Sequence, residues 1–281
     1  MNIKDFKAIE VPLGEMQINA KSISNQKYDF QLNLNGQNVD LNINGDYLAE
    51  ETGPKLNLNV DLNKLALSVI EGFSNEELKE SKGSIAANFQ LDGPVNDLNY
   101  KGEVNFNDAS FLVSKLNSKF SLGKEKIKVD NQGIYFNQFS ITDSQNNDFT
   151  VKGDILTEDI TDPTFDLSIN AKNFEALNST KEDNELYYGK VVFDVDATVG
   201  GKLSFPKVKA KLTVNENTNA TYVLPETQVD VVDRDGIVVF VNKENPDAIL
   251  TRNDEDETSA VITGIELNTE LVIEPNATFN I

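Results

Sequence analysis

Apolar and polar residues alternate along most of this chain. Leu56-Asn57-Leu58-Asn59-Val60-Asp61-Leu62 sets the beat, and it returns at Phe30-Gln31-Leu32-Asn33-Leu34, Phe165-Asp166-Leu167-Ser168-Ile169-Asn170-Ala171, Phe193-Asp194-Val195-Asp196-Ala197 and Ile265-Glu266-Leu267-Asn268-Thr269-Glu270-Leu271. Side chains of a strand point to opposite faces with a period of two, so each segment carries one oily and one wet face. Turn residues punctuate the pattern at Asn35-Gly36, Asn44-Gly45-Asp46, Gly53-Pro54, Asp92-Gly93-Pro94, Gly153-Asp154, Asp162-Pro163 and Gly200-Gly201. This spacing predicts hairpins and meanders, about nineteen strands in all, and an all-β fold. One sheet of that many strands would be about 90 Å long and would have to curl or split into two layers.

One stretch breaks the beat. Between Leu65 and Ser81 the period of two is lost, and Ser74-Asn75-Glu76-Glu77 has the form of a capping box with Ser74 as N-cap. One or two short helices are expected at 65–81. A weak internal repeat also divides the chain. Gly83-Ser84-Ile85 through Lys101-Gly102-Glu103-Val104 to Gly133-Ile134-Tyr135-Phe136 is echoed by Gly189-Lys190-Val191 through Lys209-Ala210-Lys211-Leu212 to Gly236-Ile237-Val238. The resulting division is 1–82, 83–188 and 189–281, the two repeats being continuous with each other.

Composition narrows the function. The 281 residues include no cysteine and no histidine. Serine-histidine, cysteine-histidine and zinc-histidine chemistries are thereby excluded, and no disulfide framework exists. A net charge of -21 repels phosphate backbones and speaks against nucleic acid as a partner. No apolar run reaches the roughly 20 residues that span a bilayer, and Met1 to Asp5 has no secretory pattern. The chain reads as a soluble protein or a piece of a longer one. Asp254-Glu255-Asp256-Glu257 reads as a solvated loop, and no metal or other cofactor is expected. Asparagine on so many strand faces is unexpected in a poor strand former; base composition is the only explanation the sequence offers.

Two regions carry a family resemblance. Gly189-Lys190-Val191-Val192-Phe193, followed by Val199-Gly200-Gly201-Lys202-Leu203-Ser204-Phe205-Pro206-Lys207-Val208-Lys209-Ala210, resembles the glycine-leucine-proline element of TamB proteins, with Ala210 where glycine is usual. Thr218 to Glu226 followed by Arg234-Asp235-Gly236-Ile237-Val238-Val239-Phe240 is similar to the C-terminal region of TamB-like proteins of Bacteroidota type. The likeness extends over about residues 55–281. It implies a long curled antiparallel or mixed sheet forming a taco-like trough, apolar inside and polar outside. It also implies a non-enzymatic periplasmic segment of an inner-membrane-anchored protein, the anchor lying outside this chain. Such a segment would carry phospholipid acyl chains between inner and outer membranes, or support outer-membrane protein assembly with an Omp85-type partner.

The side chains expected to line the trough are Leu58, Val60, Phe89, Leu91, Val104, Phe106, Phe165, Leu167, Ile169, Val191, Phe193, Val195, Leu212, Val214, Ile237, Val239, Ile265, Leu267 and Ile273. Alternation alone serves equally well for two packed sheets about 10 Å apart, a dry adhesin-like sandwich with no catalytic role. A carboxylate-based hydrolase is the weakest alternative, because nothing places two carboxylates in one site.

Overall fold

The computed structural model describes residues 1–50, 53–224 and 263–281. Ile237, Val239, the Arg234 to Phe240 part of the family resemblance and the acidic run 254–257 therefore lie outside the described residues. Among the described residues seventeen strands form one sheet. They are β1 (Asn2–Ala8), β2 (Val11–Ser22), β3 (Lys27–Asn35), β4 (Val39–Glu50), β5 (Gly53–Ala66), β6 (Leu78–Pro94), β7 (Asn99–Val113), β8 (Ser118–Leu122), β9 (Lys126–Asp130), β10 (Gly133–Thr142), β11 (Asp148–Leu156), β12 (Thr164–Ser179), β13 (Tyr187–Lys202), β14 (Lys207–Val214), β15 (Asn219–Tyr222), β16 (Glu266–Ile273) and β17 (Thr278–Asn280).

From β1 to β8 and again from β9 to β14 each strand pairs antiparallel with its predecessor in a meander. Two parallel pairs, β14 with β16 and β15 with β17, end the series and make the sheet mixed. The half-length strands β8 and β9 both pair with β7, and β14 and β15 both pair with β13. With β16 and β17 also lying end to end, the seventeen strands fill fourteen positions. At the usual interstrand spacing the described sheet is about 60 Å across, shorter than the sequence-based figure because strands share positions.

Three of the predicted turns are strand interior instead. Gly45, Gly153 and Gly201 lie within β4, β11 and β13. At Gly45 the reason is close approach, since a Cβ there would run into the Asn57 carbonyl oxygen and the Leu58 side chain. Glycine in a strand often marks such contact.

The short helix is α1 (Leu67–Phe73), with a 3-10 turn at Ser114–Leu116. Its polarity corrects the capping-box reading. Ser74 ends α1 rather than starting it: its N–H and its hydroxyl both donate to the Glu71 carbonyl, at 3.0 and 2.8 Å. Its Oγ also accepts from the Leu78 N–H at 3.1 Å. Asn75 and Glu76 then take positive φ, 49° and 67°, which turns the chain into β6. The apolar run that precedes Ser74 is therefore the helix itself. A serine hydroxyl that bonds back to a carbonyl three residues earlier competes with helix continuation.

Candidate functional site

Cross-strand partners share a face, so the registers show which side chains stand together. One row runs through all fourteen positions: Ile3, Met16, Leu34, Leu41, Leu62, Ala87, Val104, Ile127, Phe136, Gly153, Leu167, Val199, Val208 and Leu267. None carries a charge. A parallel row joins Ile18, Leu32, Ile43, Val60, Phe89, Gly102, Val129, Ile134, Ile155, Phe165 and Gly201. Leu58 with Leu91, Ile169 with Ala197, and Val195 with Leu212 extend the same face, as does the set Phe193, Val214 and Ile273. Val191 faces Leu177, and Phe106 faces Ile85. Every described residue expected from the sequence therefore falls on one face; Ile265 stands just ahead of β16, in phase with it.

This face differs in exposure along its length. Leu58, Val60, Phe89, Leu91, Val104, Phe165 and Leu167 are half-buried. At the far edge Leu267, Leu271 and Ile273 are 61, 57 and 53% exposed. Elsewhere the face closes on itself. Phe120 of β8 stacks on Phe174 of β12 with ring centroids 5.7 Å apart and planes within 8°. Three sheet positions separate these strands, about 14 Å in a flat sheet. The sheet must therefore curl toward its apolar side, and the two strands touch beyond the tip of the shorter β10–β11 hairpin. Phe111, Phe149, Phe193 and Val195 pack around this pair.

A second cluster adjoins it. Leu67 of α1 packs on Ala109 and Leu122 with Phe106, Phe139 and Ile141 around them. Val69 is 2% exposed, and Gly72 lies against Val11 of β2. The helix thus lies on the apolar face, reaching from the β7–β8 side to the start of β2.

Beta-bulges set the border between the open and closed parts. The register shifts between Phe136 and Phe139 in β10 and between Ala171 and Phe174 in β12. It shifts again where β6 pairs β7, near Asp108. Gln138, Asn173 and Asp108 take positive φ of 62°, 52° and 47°. Each directly precedes an apolar residue of the closed clusters: Phe139, Phe174 and Ala109. A bulge bends its strand and raises its twist, so bulges in several strands together fold this end of the sheet inward.

On the outer face a polar knot ties the hairpin tip to β12. The buried Asp143 carboxylate accepts from the N–H groups of Glu175, Gln145 and Asn147 at 2.7, 2.8 and 2.8 Å, and from Asn147 Nδ2 at 3.1 Å. Burial pushes its carboxyl up, but these donors together outweigh burial and hold it below the usual aspartate range. Beside it the buried Glu175 pairs with Lys190 Nζ at 2.8 Å. The link from Asp143 to Glu175 spans 32 residues and has no local sequence signal. Among the described residues no group of histidine, cysteine, aspartate or glutamate could hold a metal, and no helix is long and apolar enough to cross a membrane.

The geometry is thus a curled single sheet with one uncharged face, and comparison with known proteins supplies a family. Residues 137–281, from β10 to the end of the chain, match the TamB C-terminal domain. No curated protein and no solved structure matches the chain. The matched family is a non-enzymatic transport and assembly module of the cell envelope, known for its part in outer-membrane protein assembly. With half of its length matched, the chain belongs to the TamB family.

Proposed function

We propose that the open part of the apolar face holds phospholipid acyl chains and lets them pass along the sheet between the inner and outer membranes. The fourteen-position row of uncharged residues is the observation that carries this reading. Each CH₂ withdrawn from water contributes about 0.8 kcal/mol. Near-equivalent rows give no single deep well, which favours sliding over retention. Head groups stay in water at the rim. Beyond α1 and the closed β8–β12 end, the described strands leave this face partly exposed, so access is from the side. In the envelope this segment works with an Omp85-type outer-membrane protein and with an inner-membrane anchor supplied outside the chain; family membership supports both.

A photo-crosslinking residue tests the proposal in cells. Placed at Leu58 it should capture phospholipid several-fold more than at Asn59, the next residue, which faces the other way. Equal labelling at the two positions would overturn the proposal. Phe193, packed against Phe174 at 5.8 Å, should label less than Leu58.

A further inference from the structure

The opposite face of the sheet is also hollow. A twisted sheet is saddle-shaped and can be concave along one diagonal on each side. Across β4 to β10 the polar face has an open hollow of about 950 Å³ lined by Asn44, Asn59, Asn88, Gln90, Lys101 and Tyr135 among others. A hollow of about 630 Å³ shares Asn44 with it, and another of about 510 Å³ shares Asn59 and Gln90. Together they make a track running from β2 to β10.

The largest hollow is close to electroneutral. The chain carries -21, yet within the largest hollow Asp61, Glu103 and Asp130 are nearly balanced by Lys101 and Lys128. Its other polar groups are amides. Asn59 makes one long contact, 3.5 Å, with Asn44, and the exposed Asn88 and Gln90 side chains extend into solvent. The Tyr135 hydroxyl donates to Asp130 at 2.9 Å, which fixes its ring at the margin. Asparagine is a poor strand residue, so a row of it needs a reason beyond the sheet.

We infer that this track is a binding site for an uncharged glycan chain. Each amide offers both a donor and an acceptor, the pairing that sugar hydroxyls need, and near-neutrality avoids selection for ions. A fixed aromatic ring adds a stacking surface. An extended peptide fits less well, because every strand under the largest hollow is paired on both sides and leaves no edge for strand addition.

The test titrates the full chain, followed by amide NMR and calorimetry, with chitotetraose, maltotetraose and an uncharged hexapeptide. A saccharide should shift resonances of Asn88, Gln90 and Tyr135. The double variant Asn88→Thr/Gln90→Thr keeps strand propensity and should bind it roughly five- to tenfold more weakly. Asn170→Thr, in β12 and outside the hollow, should bind as the parent does. Absence of shifts with both saccharides, unchanged affinity in the double variant, or stronger binding of the hexapeptide at these residues would each overturn the inference.

Discussion

Two halves of the same face behave differently. On one side of the bulges, Leu58, Val60, Phe89 and Leu167 keep strict alternation and stay half-buried. On the other, Phe120 and Phe174 are buried against each other. Both halves are uncharged and belong to one sheet. What separates them is geometry: strands that keep register form an open floor, and bulged strands curl until opposite walls meet. An apolar face is therefore not sufficient for a groove; it must also escape its own packing. In this chain the closed half is a packed core and the open half stays partly exposed.

The sharpest way to break that contrast is to cut one aromatic from each half. Phe174 is 5% exposed and lies within 6 Å, ring to ring, of Phe120, Phe149 and Phe193. Phe174→Ala should cost about 3–5 kcal/mol, the range for a buried phenylalanine. Phe89→Ala, in the open half, should cost about 1–2 kcal/mol, since its ring leans over Gly102 and still meets solvent. Urea midpoints of the two variants measure the difference. Equal losses would mean that the open half is a packed core too.

The polar knot sharpens the contrast next. Asp143→Asn keeps the shape but weakens acceptance of three backbone N–H groups, so the closed half should lose about 1–3 kcal/mol at neutral pH. The pH dependence has a definite sign. The folded-state pKa of Asp143 lies below its ordinary value of 3.8. Its contribution is thus fully present above that value and is lost as pH falls through the folded value. The gap between parent and variant should be constant near pH 7 and shrink below about pH 4. A gap that persists undiminished well below that would remove Asp143 from the account.

How much of this could be read beforehand follows the same border. Leu58, Val60, Phe89, Phe165 and Leu167 follow a period of two because their strands keep it. Ile127 and Val129 carry the same signal, Lys126-Ile127-Lys128-Val129-Asp130, but five residues with two apolar positions mark a strand only weakly by alternation. Phe120, Phe139 and Phe174 are different. A bulge resets the phase at Gln138 and Asn173, so no fixed period links Phe136 to Phe139 or Ala171 to Phe174. The stacking of Phe120 on Phe174 depends on the relative lengths of four strands. Gly45 looked like a turn because glycine serves tight turns and close approaches alike. Asp143 also caps its own turn through Gln145 and Asn147, but its bond to the Glu175 N–H spans 32 residues and leaves no local trace.

The smallest effect tests the border itself. If the bulge at Gln138 is what bends β10, the residue there must hold φ near 62°. Gln138→Val puts a β-branched side chain where a left-handed backbone is costly, and should destabilise by about 1–2 kcal/mol. Gln138→Gly removes the steric penalty but adds chain entropy to the unfolded state, so the two nearly cancel and the change should stay within about 0.5 kcal/mol. The order valine, then glutamine or glycine, is what a bulge imposes; in a regular strand valine would be favoured over both. Unfolding curves that rank Gln138→Val above the parent would mean the strand runs straight through this point. The inward curl of the closed half would then need another cause.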